Sequence, residues 1–369
     1  MKFICNKTLL SDAVTNVSRV IPSKSSIPAL EGIQIKARTG ELMLTGYDME
    51  SGITTTIEAA VEQEGEIVLS ARLFSEMIRK MAGEDVSVSV GDKYLTEVKS
   101  GLTEFTILGI PADEFPELPD VQGGNGISMT QSVMKSMIDQ TLFAVATTDT
   151  KPVHTGSLFD MKSDSLTLVS VDGYRLALRN TALKDGVDTS FVVPGKVLSE
   201  ISKLLKDDEE EEASLMVAGR HIVFHIGRYS VVSRLLEGEF LDYHSSIPSG
   251  GDTQVIVSTR ALIDSVERAS LLISDKLRSP LRVVFDSGKI RISCSTSIGK
   301  FQDEVECELS GPTVEMGFNN KYLLDALKAS GSDEVRIQIS GALSPIKVLP
   351  IQGEEYLFLV LPVRLKNEM

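Results

Sequence analysis

The chain repeats itself three times with a period of about 124 residues, so it must fold as three like units rather than one continuous core. Each copy opens on a short strand and an amphipathic helix. These carry Phe3 with Leu9, Leu10, Ala13, Val14 and Val17, then Ile127 with Val133, Met137, Ile138 and Leu142, then Val255 with Leu262, Ile263, Val266 and Ala269. A strand follows in each, "ELMLTGYD", "SLTLVSVD" or "KIRISCST", in which Leu42, Leu166 and Ile290 recur at intervals of 124 residues. A second strand and helix come next, "IVLSARLFSEMIRKM", "FVVPGKVLSEISKLL" and "VEMGFNNKYLLDALK", opened by Ile67, Phe191 and Val314. A repeat of this length is a whole domain, not one turn of a solenoid.

Alternating stretches such as Val86-Ser87-Val88-Ser89-Val90 and Val335-Arg336-Ile337-Gln338-Ile339 read as half-buried strands. The helical stripes recur at i, i+3 and i+4. Two helices and about eight strands per copy predict an α+β fold, three tandem domains with two helices laid on antiparallel sheet. The glycine-rich segments Asp120 to Gly126 and Ile247 to Asp252 are the expected linkers, which places the domains at 1–120, 128–247 and 254–369.

Composition excludes several classes. No apolar run approaches the ~20 residues that a membrane helix needs, and the N-terminus turns polar too soon for a signal peptide. Both point to a cytoplasmic protein. Cys5, Cys294 and Cys307 are odd in number and form no CxxC, as expected of reduced structural thiols. Tryptophan is absent, which disfavours aromatic platforms for single strands. The net charge of −15 falls mainly on the first two copies, and no copy is a basic DNA-reading module. If the chain holds DNA, overall attraction is not the means.

No catalytic or metal motif emerges. His221 and His225 are four apart, but "RHIVFHI" alternates as a strand does, and four strand residues span ~13 Å, too far to share one ion. The acidic run Asp207 to Glu212 reads as a solvated loop. "PGKVLS" lacks the frame of a phosphate loop. Asp48, Asp172 and Thr296 occupy equivalent positions, so no carboxylate recurs there in all three copies. No cofactor is expected. The polar helix surfaces are more suggestive, because they hold Arg19, Arg79, Lys80, Lys135, Lys196, Lys203, Arg268, Lys321 and Lys328 interspersed with acids. Six equivalent helices sharing one wall would turn these cations toward a common space.

On this threefold frame sit "IPSKSSIPALEGI" (Ile21 to Ile33), "TGYDME", "VDGYRLAL", "EGEFLDY" and a terminal "LPVRL", behind an opening "MKF" strand. In this order along the whole chain, the pattern resembles the bacterial DNA sliding clamps, the beta subunit of DNA polymerase III. The resemblance implies a non-catalytic processivity factor. Two chains would join head to tail into a six-domain ring, with helices around a central hole that takes duplex DNA. Its implied partners are DNA without sequence preference, a second copy, the replicative polymerase alpha subunit, the clamp loader and repair polymerases. A topological hold needs few strong phosphate contacts, which accommodates the acidic composition.

Carried onto this sequence, the resemblance assigns DNA contact to Lys24 and to the loop of Thr148 and Lys151, beside the helix cations Arg19, Arg79, Lys80, Lys135, Lys196, Lys203, Arg268 and Lys321. It assigns a partner-peptide pocket to Val171, Gly173, Tyr174, Arg175, Leu176, Leu241, Ile247, Pro345, Val360, Leu361, Pro362, Val363 and Arg364. An apolar groove with one arginine suits a short hydrophobic peptide. The ring interface would pair Phe105 and Ile107 with Leu271, Leu272 and the strand around residues 297–306. Two departures from the family pattern are His244-Ser245-Ser246 at the pocket rim and the extension Lys366 to Met369. Two other classes compete with this reading: a carboxylate-dependent enzyme acting on DNA or sugar, and a three-domain scaffold.

Overall fold

The computed structural model describes residues 1–148, 151–184, 186–273 and 279–365. The extension Lys366 to Met369 lies outside the described residues. The first copy runs β1 (Lys2–Asn6), α1 (Lys7–Val17), β2 (Gly32–Arg38), β3 (Glu41–Tyr47), β4 (Ser51–Glu58), β5 (Ala60–Gln63), β6 (Gly65–Ser70), α2 (Ala71–Lys80), β7 (Asp85–Val90), β8 (Leu95–Ser100) and β9 (Thr103–Leu108). The second runs β10 (Asn125–Thr130), α3 (Gln131–Leu142), β11 (Gly156–Met161), β12 (Ser165–Val171), β13 (Arg175–Ala182), β14 (Thr189–Pro194), α4 (Gly195–Leu204), β15 (Glu212–Ala218), β16 (His221–Ile226), β17 (Tyr229–Arg234) and a one-turn α5 (Tyr243–Ser246). The third runs β18 (Thr253–Ser258), α6 (Thr259–Ser270), β19 (Leu281–Asp286), β20 (Lys289–Thr296), β21 (Gly299–Ser310), β22 (Val314–Phe318), α7 (Asn320–Ser330), β23 (Glu334–Ile339), β24 (Ile346–Leu349) and β25 (Tyr356–Val360).

Local chemistry starts and stops the helices. The Asn6 side chain accepts the N–H groups of Thr8 and Leu9 at 3.0 and 3.2 Å, and Asn319 does the same for Lys321 and Tyr322. Gly331, at φ 64°, ends α7 in the left-handed region where a Cβ would be strained. The apolar stripes are buried as the periodicity predicts: Leu10, Ala13, Val14 and Val17 in α1, and Leu262, Ile263, Val266 and Ala269 in α6. One linker is shorter than expected. Asn125 and Gly126 already pair with Val217 and Met216 as the start of β10, because their backbone groups find a ladder there.

The chain divides into two compact units, residues 1–135 with 196–235, and residues 136–195 with 236 onward. The division cuts through the second copy for a hydrogen-bonding reason. In the first unit, β17 of the second copy pairs with β4 of the first, so that Tyr229 faces Thr55, Val231 faces Ile53 and Ser233 faces Ser51. This joins strands of two copies into an eight-stranded sheet, β10-β15-β16-β17-β4-β3-β2-β6, beside a five-stranded sheet, β5-β1-β7-β8-β9. In the second unit, β25 of the third copy pairs with β13 of the second, Val360 facing Arg175, Phe358 facing Ala177 and Tyr356 facing Arg179, within a twelve-stranded sheet. All the named strand pairings are antiparallel.

Each unit has its own core. Phe3, Phe74, Ile33, Leu42 and Leu44 are fully buried in the first, and Phe285, Phe318 and Phe358 in the second. Each such side chain contributes ~1.5–3 kcal/mol. In the first unit α1 packs on α2 and against β3 and β4, and in the second α6 packs on α7 and against β20 and β21. Among the described residues no helix is long and apolar enough to cross a membrane.

Among the described residues, two edges matter for assembly. β9 pairs only with β8, and β21 pairs with β20 along Gly299–Glu306 and with β18 along Cys307–Ser310. The other edge of β21 over residues 299–306 therefore has no partner strand among the described residues.

Candidate functional site

One turn is built three times, and it explains the equivalence of Asp48, Asp172 and Thr296. Each places a side-chain oxygen on the N–H two residues ahead: Asp48 on Glu50 at 3.0 Å, Asp172 on Tyr174 at 2.9 Å and Thr296 on Ile298 at 3.3 Å. The position needs a short acceptor for a turn and not a charge for chemistry. In the second copy Gly173, at φ 87°, completes the turn in a conformation that costs other residues strain.

That turn sends two side chains in opposite directions. Tyr174 stands out in solvent, and its carbonyl accepts the N–H of Leu361 at 2.9 Å. Arg175 points inward and is almost wholly buried. Its Nε donates to Asp172 Oδ2 at 3.0 Å and its Nη1 to Asp325 Oδ2 on α7. The guanidinium carbon lies 4.6 Å from the Tyr322 ring centre and 5.4 Å from that of Phe143, and Tyr322 in turn stacks on Tyr174 at 5.7 Å. A buried guanidinium is tolerated only with such partners. Two carboxylates hold it, so it acts as a strut beneath the aromatic pair.

Beside the strut is an apolar floor. Val171, Leu176, Val192, Tyr243 and Leu359 belong to one buried cluster, against which Leu236, Phe240 and Ile247 pack. The Tyr243 hydroxyl donates to Asp160 Oδ2 at 2.8 Å, and burial pushes its pKa up, so it stays a neutral donor. Tyr174, Leu241, Leu361 and Val363 form an exposed apolar rim. Arg364 is exposed, Pro345 and Pro362 are half-buried and Val360 is core. The terminal segment is pinned where the Val363 N–H donates to the Gly317 carbonyl at 2.8 Å. A Cβ on Gly317 would sit 2.5 Å from the Val363 oxygen and 2.8 Å from the Leu365 side chain, so only glycine admits this segment. The structure thus sets Tyr174 and Arg175 against Leu361 and Val360, with Val171, Leu176 and Ile247 in the cluster beneath. Sequence reasoning missed Asp172, Asp325, Tyr322 and Phe143. "VDGYR" carried a turn signal for Asp172, whereas nothing in the sequence links α7 to residue 175.

The helix cations fall into two sets. Arg19, in the turn just after α1, donates from Nε to Asn16 at 3.0 Å and lies 3.6 Å from Glu200. Lys196 pairs with Asp48 at 3.0 Å, Lys203 with Glu200 at 2.8 Å, Arg268 with Asp303 at 2.5 Å, Lys328 with Glu267 at 2.6 Å, and Lys135 approaches Asp207 at 4.0 Å. Burial pushes the Asp48 carboxyl up, but hydrogen bonds from Ser51, Lys196 and Glu50 outweigh it and leave it below its usual range. Arg268 holds Asp303 low, with help from Ser265. Lys24, Arg79, Lys80, Lys151 and Lys321 are exposed and make no ion pair among the described residues. Thr148 is exposed just before the undescribed residues 149–150.

Among the described residues no group of three His, Cys, Asp or Glu side chains could hold a metal. Burial, with Asp85 nearby, raises the Cys5 thiol to about 11, far from a reactive thiolate. His221 and His225 lie along β16.

Three successive domain patterns match the chain: the N-terminal domain of the DNA polymerase III beta subunit over residues 1–119, its central domain over 128–242 and its C-terminal domain over 244–364. The chain belongs to the DNA polymerase III beta subunit family. Among its relatives are the beta sliding clamp of Bacillus subtilis, 34% identical over 99% of this chain and 100% of that one, and that of Staphylococcus aureus, 31% identical over 99% of each. Solved structures of this beta subunit family agree. The Bacillus subtilis clamp superposes with a TM-score of 0.94 at 33% identity, over 99% of this chain and 100% of that one. The Bartonella birtlesii clamp, solved bound to griselimycin, superposes with a TM-score of 0.93 at 27% identity and the same coverage.

Proposed function

We propose that this beta subunit is the processivity factor of its replicative polymerase, a non-catalytic ring of two copies that encircles duplex DNA and tethers partners through the pocket at Tyr174 and Leu361. The domains are 1–120, 128–247 and 254–369, and the protein works in the cytoplasm. The observation that carries the reading is the pair of open edges. β4 pairs with β17 and β13 with β25, so each copy's fourth-strand equivalent takes the last strand of the next copy. Among the described residues the third such strand, β21, is left without that partner over 299–306, and the first such last strand, β9, pairs only with β8. Two chains satisfy both edges at two identical interfaces and close the ring.

The two internal junctions supply the offsets from which we infer the register of the third. By the same offsets Gly299 faces Ile107, Phe301 faces Phe105 and Asp303 faces Thr103 of the partner subunit. Phe105 lies opposite buried Val98 in its own sheet and Phe301 opposite buried Cys294, so both rings extend the core side of their sheets. Such an aromatic pair adds ~0.5–1.5 kcal/mol beyond its buried area. Leu272 packs on Gly299 at the same edge, next to exposed Leu271.

Inside the ring the DNA contacts fall to Lys24, Arg79, Lys80, Lys151 and Lys321, with Thr148 beside them. The acid-paired Arg19, Lys135, Lys196, Lys203 and Arg268 give a smoother, weaker field, which suits sliding. The pocket takes apolar segments of the polymerase alpha subunit, clamp loader and repair polymerases, and it takes griselimycin as well.

The test is a cysteine pair, Phe105→Cys with Phe301→Cys, in a Cys294→Ser background so that the new thiol has no neighbour in its own chain. Oxidation should yield a covalent dimer on a non-reducing gel, while Phe105→Cys with Asp303→Cys, two residues out of register, should yield little. Equal crosslinking by both pairs, or by neither, would refute the assigned junction.

A further inference from the structure

The junction of turn and terminal strand is used three times, and its third use has a chemistry of its own. Glu50, Tyr174 and Ile298 share the turn position described above, and all three are exposed. The N–H groups of Arg234 and Leu361 donate to the carbonyls of Glu50 and Tyr174 at 2.8 and 2.9 Å. Each of these donors stands two residues before a bridge residue, Leu236 against Val192 and Val363 against Gly317. Leu108 stands two residues before Ile110, which bridges to Val68 in the same way. By this correspondence Leu108 would be the third donor, with the carbonyl of Ile298 of the partner subunit as its acceptor.

The neighbours of these residues correspond as well. Gly109 donates to Tyr94 at 2.9 Å as Leu235 does to Arg220 at 2.8 Å, while Leu95 faces Leu108 as His221 faces Arg234. The first junction thus presents Glu50, Arg220, His221 and Arg234. The second presents Tyr174, Pro345 and Leu361, the pocket rim. The third presents Ile298 from one subunit and Tyr94, Leu95 and Leu108 from the other, all four large and apolar, with exposures of 67%, 44%, 52% and 71%.

On this correspondence, closing the ring should leave them in solvent. Tyr174 and Leu361 remain 60% and 38% exposed with their own junction formed, and Glu50 and Arg234 stay in solvent at theirs. Four clustered apolar side chains left in water mark an interaction surface. The backbone points the same way. Lys93 and Tyr94 hold φ of 55° and 63°, where the matching turn of the second copy uses Gly219. A bulky aromatic kept in the left-handed region, at ~1–2 kcal/mol, is the kind of strain that persists at binding sites.

We infer that the junction between the two subunits is a second apolar peptide-docking site, taking the class of ligand that the second-copy pocket takes. The inference rests on the ring and pocket assigned under Proposed function. Because one subunit supplies Ile298 and the other Tyr94, Leu95 and Leu108, the site exists only in the closed ring. A ligand there favours closure, and closure favours that ligand by the same factor.

Methyl NMR of the full-length dimer, titrated with N-acetyl-leucyl-phenylalanine amide, tests this. The methyls of Ile298, Leu95 and Leu108 should shift and saturate, as should those of Leu361. In the monomeric Leu271→Ala, Leu272→Ala variant the first three responses should vanish while Leu361 still responds. Ile298→Glu with Leu108→Arg installs the first junction's residues, so the dimer should persist in sedimentation while Leu95 loses its response, with apparent affinity at least tenfold weaker. A Leu361 response without one at Ile298, Leu95 and Leu108 would overturn the inference and leave the pocket standing. A response at Ile298 that survives in the monomer would overturn the two-subunit site. Silence at every methyl would overturn both the site and the pocket.

Discussion

Gly317→Val looks harmless in the sequence, since the matching residues of the first two copies are Val68 and Val192. The structure predicts otherwise. A Cβ at 317 meets the Val363 carbonyl oxygen at 2.5 Å and the Leu365 side chain at 2.8 Å. Forcing the extra atoms into place costs ~1–3 kcal/mol. The chain has a cheaper escape, which is to release the terminal segment. That forfeits the Val363–Gly317 hydrogen bond, ~1 kcal/mol, and the contacts of half-buried Leu365, ~1 kcal/mol. The loss falls on the segment that carries Leu361 and Val363, so re-docking it is charged to ligand binding. Re-docking then costs the ligand the gap between the forced state (~3 kcal/mol) and the released one (~2 kcal/mol), so griselimycin affinity measured by calorimetry should fall about fivefold, at one decade per 1.4 kcal/mol, while the unfolding midpoint falls by only a few degrees, at ~2–4 °C per kcal/mol. Unchanged affinity would refute the reasoning, because it would mean that the segment does not depend on a bare Cα at 317.

Three other outcomes follow from the same geometry. Leu271→Ala with Leu272→Ala should convert dimers to monomers in sedimentation velocity, because Leu272 packs on the edge strand at Gly299. Arg79→Ala with Lys80→Ala should flatten the salt dependence of DNA retention by up to ~1.8 in log–log slope, at ~0.9 per phosphate, whereas Arg268→Ala should change it little because Asp303 already holds that cation. The Asp303 carboxyl is held below its ordinary value, so its contribution to stability is present above the usual carboxylate range and is lost as pH falls through its lowered value. Asp303→Asn should therefore reduce the acid sensitivity of the unfolding midpoint below that range, and an unaltered pH profile would count against this pair.

Much of the architecture was legible because periodicity reports burial locally. The stripe of Leu10, Ala13, Val14 and Val17 and the alternation around Val86 to Val90 needed no distant partner to be read. Pairing between copies was not legible: nothing in Ser51 to Thr55 or Tyr229 to Ser233 announces that they face one another, since β-strand partners are chosen by the whole sheet. The pocket was half visible. Its apolar rim could be placed by resemblance, but the two carboxylates that hold Arg175 come from its own turn and from a helix 150 residues away. The cations of the helix faces could be seen, yet which of them an acid already holds is decided by packing between elements, as with Lys196 of α4 and Asp48 at the β3–β4 turn.

The most direct test of the central claim is retention on DNA after loading by a clamp loader, comparing nicked circles with the same DNA linearised. A closed sliding ring should stay on the circles at moderate salt and run off the linear ends. Equal retention on both forms would contradict the topological account and mean ordinary surface binding.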